Sequence, residues 1–140
     1  MKTDHIIALI GNIRAKAHNF IIEELNKRGL SGLVPSHGAI LNLLFKEDCI
    51  SMREAARRIE RSKSTVTVLV NKLVDAGYID KRQSPNDRRI TLIGLTRKGR
   101  DLETDFNAIS RLVLDRTYKS LSEHEKASVV RGLEKIRNNW

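Results

Sequence analysis

The chain has 140 residues, of which 40% are hydrophobic and 4% aromatic, and its formal net charge is +9. No apolar run approaches the roughly 18 residues of a membrane span, and the N-terminus lacks the architecture of a signal peptide. A single cysteine, Cys49, excludes a disulfide framework and a thiolate metal cluster, so we expect one soluble, cytoplasmic, mainly helical domain.

The positive charge is concentrated in the middle of the chain. Residues 51–100 contain 13 Lys or Arg against 5 Asp or Glu, a net charge of +8, whereas the two flanks together carry only +1. A cationic centre between nearly neutral flanks indicates contact with a polyanion. A solvated basic face is the alternative interpretation of the charge bias alone.

The N-terminal third predicts two helices. Apolar residues recur at intervals of three or four along residues 4–28, and Gly29 follows as a stop signal. Ser36, after Pro35, is predicted to cap the second helix.

The central segment predicts a helix-turn-helix. Ser51 and Glu54 form a capping-box pattern for a short helix that ends near Glu60, and Ser62 follows as the cap of the next helix, which runs to Ala76 before Gly77. Two short strands are predicted next, near 78–82 and 90–95. Thr96 is predicted to begin a long helix, and Ser122 to cap a last one.

The second helix of the pair is predicted to have two different faces. Val66, Leu69, Val70 and Leu73 occupy positions i, i+3, i+4 and i+7, a core-facing stripe. The opposite face is predicted to meet DNA phosphates and base edges, and it carries Lys63, Ser64, Thr65, Thr67, Val68, Asn71 and Lys72. A polar face by itself is typical of any amphipathic helix.

The tip between the two strands reads Ser-Pro-Asn-Asp-Arg-Arg, from Ser84 to Arg89. Because arginine suits the narrow minor groove, Arg88 and Arg89 are predicted to contact DNA there. Asp87 would be repelled by phosphate, so we expect it to accept a hydrogen bond from Arg89 and fix its direction. A solvated turn is the alternative.

Residues 62–102 resemble the MarR family of bacterial transcriptional regulators in the helix, in Asp87-Arg88-Arg89 and in Leu95-Thr96-Arg97-Lys98-Gly99. The resemblance implies a winged helix-turn-helix lobe over 36–96 of a single 1–140 domain, with helical dimerisation regions at 1–30 and 97–140. It implies a homodimeric regulator, a repressor, that binds a palindromic operator in double-stranded DNA of the bacterial or archaeal cytosol and nucleoid. Many relatives have arginine where this chain has Val68, so their base preference is not carried over.

The resemblance also implies supporting DNA contacts and an effector site. The supporting residues are Ser36, Arg53, Arg61 and Ser62. A small phenolic or anionic effector would lie near Arg14, His18, His37 and Asn42. No cofactor is expected, the scattered histidines lack the spacing of metal ligands, and a redox role for Cys49 is a minor alternative.

Three other functional classes are alternatives to a DNA-binding regulator. No nucleophile–base pair or metal set indicates an enzyme. A non-specific nucleic-acid-binding protein would explain the charge but not the polar helix face or the apolar stripes. A protein-binding antagonist on the same fold remains an alternative.

Overall fold

The computed structural model describes residues 1–140, which form seven helices and three short strands. The first half contains helices α1 (Ile6–Lys27), α2 (Pro35–Lys46), α3 (Met52–Ile59) and α4 (Lys63–Asp75), with strand β1 (Cys49–Ser51) between α2 and α3. Strands β2 (Ile79–Gln83) and β3 (Thr91–Leu95) follow. Helices α5 (Arg97–Arg100), α6 (Glu103–Tyr118) and α7 (Glu123–Arg137) complete the chain. None of the helices is long and apolar enough to cross a membrane.

The chain divides into two compact units, Met1–Ile109 and Ser110–Trp140. The core of the first unit consists of aliphatic side chains from its helices and sheet that are almost inaccessible to solvent: Leu25, Ile40, Leu41, Leu44, Val66, Val70, Leu73, Ile79 and Ile93. Phe106 completes this core, since its ring meets that of Phe45 edge to face with centroids 5.8 Å apart. In the second unit, Ser122 caps α7 in the predicted capping box with Glu125.

The three strands form an antiparallel sheet in the order β1-β3-β2. The predicted hairpin is present, one residue later than expected at the start of each strand. Strand β1 was not predicted, because three residues are too short to show an alternating pattern. Ile50 of β1 pairs with Ile93 of β3, so this strand adds a third strand at the β3 side of the hairpin.

The helix ends confirm some of the predicted caps and correct others. Gly29 and Gly77 adopt positive φ angles of 74° and 83° directly after α1 and α4, as a helix stop requires. The prediction that Ser36 caps α2 is wrong. Pro35 occupies the first helical position, where its fixed φ suits a helix start, and Val34 is the cap; its N–H donates to Nδ1 of His37 at 3.1 Å.

Two further predictions about helices are corrected. Ser51 caps α3 through the N–H of Glu54, but the Glu54 carboxylate accepts from Arg57 and Arg58, so only half of the capping box forms. The single helix predicted from Thr96 is divided into α5 and α6. Thr96 does cap a helix, because its hydroxyl accepts from the N–H of Gly99 at 3.1 Å, but that helix is the short α5.

Candidate nucleic-acid interface

Helix α4 is anchored by one face and exposes the other. Val66, Val70 and Leu73 are buried, which confirms these three positions of the predicted stripe, whereas Leu69 is only half-buried. The opposite face exposes six of the seven predicted residues: Lys63, Ser64, Thr65, Val68, Asn71 and Lys72. Val68 has 68% of its surface exposed, so its methyl groups are accessible from solvent.

The seventh residue, Thr67, is half-buried, and its hydroxyl donates to the carbonyl of Lys63 at 2.9 Å. This bond within the helix uses the hydroxyl hydrogen, so the Thr67 oxygen can only accept from a partner. The structure therefore offers less polar chemistry at Thr67 than the sequence predicted.

Hydroxyl groups cluster at the N-terminus of α4. Ser62 caps the helix by accepting from the N–H of Thr65 at 3.2 Å, and its own hydroxyl lies 2.9 Å from Oγ1 of Thr65 and 3.1 Å from Oγ of Ser64. All three residues are exposed. Small donors beside the positive end of a helix dipole suit a phosphate oxygen.

Helix α4 also contacts the hairpin. The Lys81 ammonium group on β2 donates to Oδ1 of Asn71. Because lysine only donates hydrogen bonds, the Asn71 amide must turn its oxygen toward Lys81 and its NH₂ group away. Asn71 is thereby oriented to donate to an acceptor.

The hairpin tip, or wing, has the predicted bond between Asp87 and Arg89. Oδ1 of Asp87 accepts from the backbone N–H and from Nε of Arg89 at 3.0 and 3.1 Å, and Oδ2 accepts from Nη2 at 3.0 Å. These bonds from the Arg89 side chain and backbone lower the pKa of Asp87, so the carboxylate stays charged. The Arg89 side chain is nevertheless 90% exposed, and Arg88 beside it is exposed as well.

The supporting residues predicted from the sequence lie around the helix-turn-helix. Arg53 is exposed on α3, and Arg61 is exposed in the turn before α4. That turn depends on Glu60, which adopts a left-handed conformation with φ 54°. Ser36 is half-buried in the first turn of α2.

Besides Lys81, Arg82 and Arg89, four cations of the basic segment donate to groups within the protein. Arg57 and Arg58 donate to Glu54, whose pKa they lower to about 2. Lys98 and Arg100 donate to backbone carbonyls at helix ends. The sequence alone did not distinguish these side chains from the free cations, because charge counting ignores what each group contacts.

A cleft of about 160 Å³ lies between α1, α2 and the helix-turn-helix. Arg14, His18, Ser36 and Arg61 line it, together with Pro35, Ala39 and Ile59. Partial burial, Arg14 and Arg61 lower the pKa of His18, so the cleft has an excess of positive potential. It combines two of the four predicted effector residues with two of the predicted supporting DNA contacts.

The other two predicted effector residues lie elsewhere. His37 is buried at the start of α2, where its Nδ1 accepts from the N–H of Val34. Burial lowers the pKa of His37, and the positive charge of Lys72 lowers it further. Asn42 is exposed on α2, outside the cleft. Cys49 is half-buried with its Sγ 3.6 Å from Nη2 of Arg82, and no group of three or more His, Cys, Asp or Glu side chains could hold a metal ion.

The helix-turn-helix and the wing are similar to segments of known proteins. The family model described as MarR family matches residues 24–90, from the end of α1 to the wing tip. This segment resembles the MarR family. The chain is 27% identical to the HTH-type transcriptional regulator MhqR of Bacillus subtilis over 128 residues, which cover 91% of this chain and 88% of that protein.

A second relative from Bacillus subtilis, the uncharacterized HTH-type transcriptional regulator YdgJ, is 27% identical over 109 residues. The match covers 78% of this chain and 66% of YdgJ. Both relatives are named as HTH-type transcriptional regulators, the class of protein that the sequence predicts.

Solved structures confirm the predicted winged-helix fold. A mutant MarR from E. coli complexed with operator DNA has a TM-score of 0.84 at 20% identity, covering 97% of this chain and 99% of that one. A MarR transcriptional regulator from Methanosarcina mazei Go1 has a TM-score of 0.83 at 23% identity, covering 98% and 96%.

Proposed function

We propose that this protein is a sequence-specific DNA-binding repressor of the MarR family that binds a palindromic operator as a homodimer in the cytoplasm. The observation that carries the proposal is the joint exposure of the polar face of α4 and of Arg88 and Arg89 at the wing tip. The operator complex of the E. coli MarR with the same fold supports it.

The two elements have different roles in this proposal. Helix α4 lies in the major groove, where Ser64, Thr65 and Asn71 meet phosphates and base edges and the Val68 methyl groups contact a thymine methyl. The wing reaches the adjacent minor groove or its phosphates, where a guanidinium is favoured. Sequence preference therefore depends mainly on α4, and much of the affinity on the wing.

Exposed apolar side chains support the homodimer. Helix α1 exposes Ile7 and Ile13 to 63% and 53% of their surface. In the second unit, large apolar side chains are exposed along both helical segments: Leu112, Leu114, Val129, Val130 and Leu133. Such stripes are rare on monomers, and they fit a surface that another copy of the chain covers.

The direct test of sequence-specific binding is selection of bound duplexes from a random pool. We expect enrichment of a two-fold symmetric site whose half-sites are separated by about one helical turn, roughly 34 Å. Enrichment of no sequence, with retained salt-sensitive binding, would favour a non-specific nucleic-acid-binding protein. Absence of binding to any duplex would favour the protein-binding antagonist. A promoter–reporter assay with and without the protein tests repression.

We also propose that a small anionic or phenolic effector binds the cleft at Arg14, His18 and Arg61 and releases DNA. Its support is the cationic lining and its position against the turn that precedes α4. A ligand there would favour a dimer whose two α4 helices no longer match their half-sites.

The effector proposal is tested by screening anionic and phenolic compounds for a thermal shift and for loss of operator binding. Arg14→Ala should abolish both responses, whereas Lys16→Ala, an exposed cation of α1 outside the cleft, should retain them. A compound that releases DNA equally from both variants would contradict this site.

A further inference from the structure

The end of α4 is held by the segment that follows the wing. Three consecutive carbonyls after the helix accept hydrogen bonds from two residues of that segment. Lys98 Nζ lies 2.7 Å from the carbonyl oxygen of Ala76, and Thr96 Oγ1 lies 2.5 Å from that of Gly77. The Thr96 N–H donates to the carbonyl of Tyr78 at 3.0 Å.

The Lys98 side chain contacts several residues at this end of α4. Its ammonium group is 4.8 Å from the centroid of the Tyr78 ring, within the range of a cation–π interaction. A side chain at Gly77 would meet Cδ of Lys98 at 3.6 Å. A Cβ at Gly99 would stand 2.0 Å from the Tyr78 carbonyl oxygen, so only glycine permits this close approach of the two segments.

The chemistry of the contact suits a helix C-terminus. The last carbonyls of a helix have no partner within the helix and carry the negative end of its dipole, so a cation that donates to one of them stabilises that end. Helix α4 is thus fixed at both ends, by Ser62 at its start and by Lys98 and Thr96 at its end.

We propose that Lys98 is a positioning residue for DNA recognition, which orients α4 through its C-terminal end without contacting phosphate itself. This inference rests on the proposed function of α4 as the helix that recognises DNA in the major groove. A binding helix must be held within roughly half an ångström of its productive position. Freeing one end lets the face that carries Asn71 and Lys72 move, and specific affinity falls.

The experiment compares Lys98→Met, which keeps the apolar stem, with Lys98→Arg, which restores a cationic donor. Arg97→Met is the matched control, since Arg97 is an exposed cation of the same helical turn. Operator affinity is titrated over a range of salt concentrations. We expect Lys98→Met to bind about three- to tenfold more weakly at every salt concentration, and its salt slope to equal that of the wild type.

Under the same conditions, the operator affinity of Lys98→Arg should be within about twofold of the wild-type affinity. The affinity of the control Arg97→Met should also be within about twofold of it. A salt slope that falls by about one unit in Lys98→Met would show a phosphate contact and overturn the proposal. Unchanged affinity of Lys98→Met, or failure of Lys98→Arg to restore binding, would overturn it as well.

Amide hydrogen exchange in the DNA-free protein tests the same contact without DNA. Exchange over residues 72–76 should be faster in Lys98→Met than in the wild type, and exchange within α2 should be unchanged. Equal exchange in the two proteins would overturn the positioning role. If the wild type selected no duplex, the proposed function would fail, while this comparison would still decide whether Lys98 holds the end of α4.

Discussion

Replacing Asp87 with alanine removes the acceptor of three hydrogen bonds from Arg89 while it removes one negative charge from the wing. Simple electrostatics predicts tighter binding to DNA after such a change. The geometry of the wing predicts weaker binding, because the Arg89 guanidinium would lose the two bonds that fix its direction. Of its five N–H donors, those two bonds leave three free for DNA.

The size of each effect decides the sign. Ordering a freed arginine at the interface weakens binding by about 2- to 12-fold, the usual range for a long side chain. Relief of repulsion between Asp87 and a phosphate about 8 Å away in water changes affinity by less than about threefold, and salt reduces it further. We therefore expect Asp87→Ala to bind about two- to fivefold more weakly at low salt, and up to about tenfold more weakly at high salt.

The assay is a fluorescence-anisotropy titration of labelled operator at several salt concentrations. Asp87→Asn, which keeps one acceptor oxygen, should lie between the wild type and Asp87→Ala. Arg89→Ala should lose more affinity than either, about 5- to 100-fold, and show a shallower salt slope. Tighter operator binding by Asp87→Ala at every salt concentration would refute the idea that Asp87 orients Arg89.

Three other predictions concern stability, pH and assembly. Phe106→Ala should lower the free energy of unfolding by about 3–5 kcal/mol in a denaturant titration, because the ring is 7% exposed; a loss below 1 kcal/mol would contradict its place in the core. The pKa of His37 is lowered from its ordinary 6.5, so the unfolded chain binds the proton more readily and stability should decline as pH falls below that value. His37→Gln should flatten this decline between pH 7.5 and 5, with the remainder due to His18; an unchanged slope would contradict the assignment. Light scattering should give twice the 15.9 kDa chain mass. Leu133→Glu should lower the measured mass toward that of a single chain, and an unchanged mass would show that Leu133 lies outside the interface.

Much of the fold could be predicted because its helix boundaries are coded locally. Ser62 and Ser122 are small hydroxyl residues directly before apolar periodic segments, and Gly77 follows the last periodic residue of α4. Each signal acts within one helical turn, so a single sequence contains it. The failures occurred where the signal is not local. Strand β1 forms only because β3 provides a partner, and the division of the helix after Thr96 accompanies the contacts of Thr96 and Lys98 with the end of α4.

In the candidate site, too, local contacts could be predicted and long-range contacts could not. The bond between Asp87 and Arg89 spans two residues and was predictable from charge and spacing. The bonds of Lys98 and Arg100 to helix ends span 22 and 55 residues, so counting charge grouped these cations with the free ones. The bond between Lys81 and Asn71 joins two different elements and likewise required the folded structure.

The measurement that tests the central claim most directly is a paired titration of the wild-type protein. One duplex carries the selected palindrome, and the other carries the same bases in scrambled order, both over a series of salt concentrations. We predict that the palindrome binds at least about a thousandfold more tightly at physiological salt, with two chains per duplex. Both affinities should fall steeply as salt rises, by about 0.9 logarithmic units per phosphate contact for each tenfold increase in salt concentration. Equal affinity for the two duplexes at every salt concentration would contradict sequence-specific recognition by α4 and the wing.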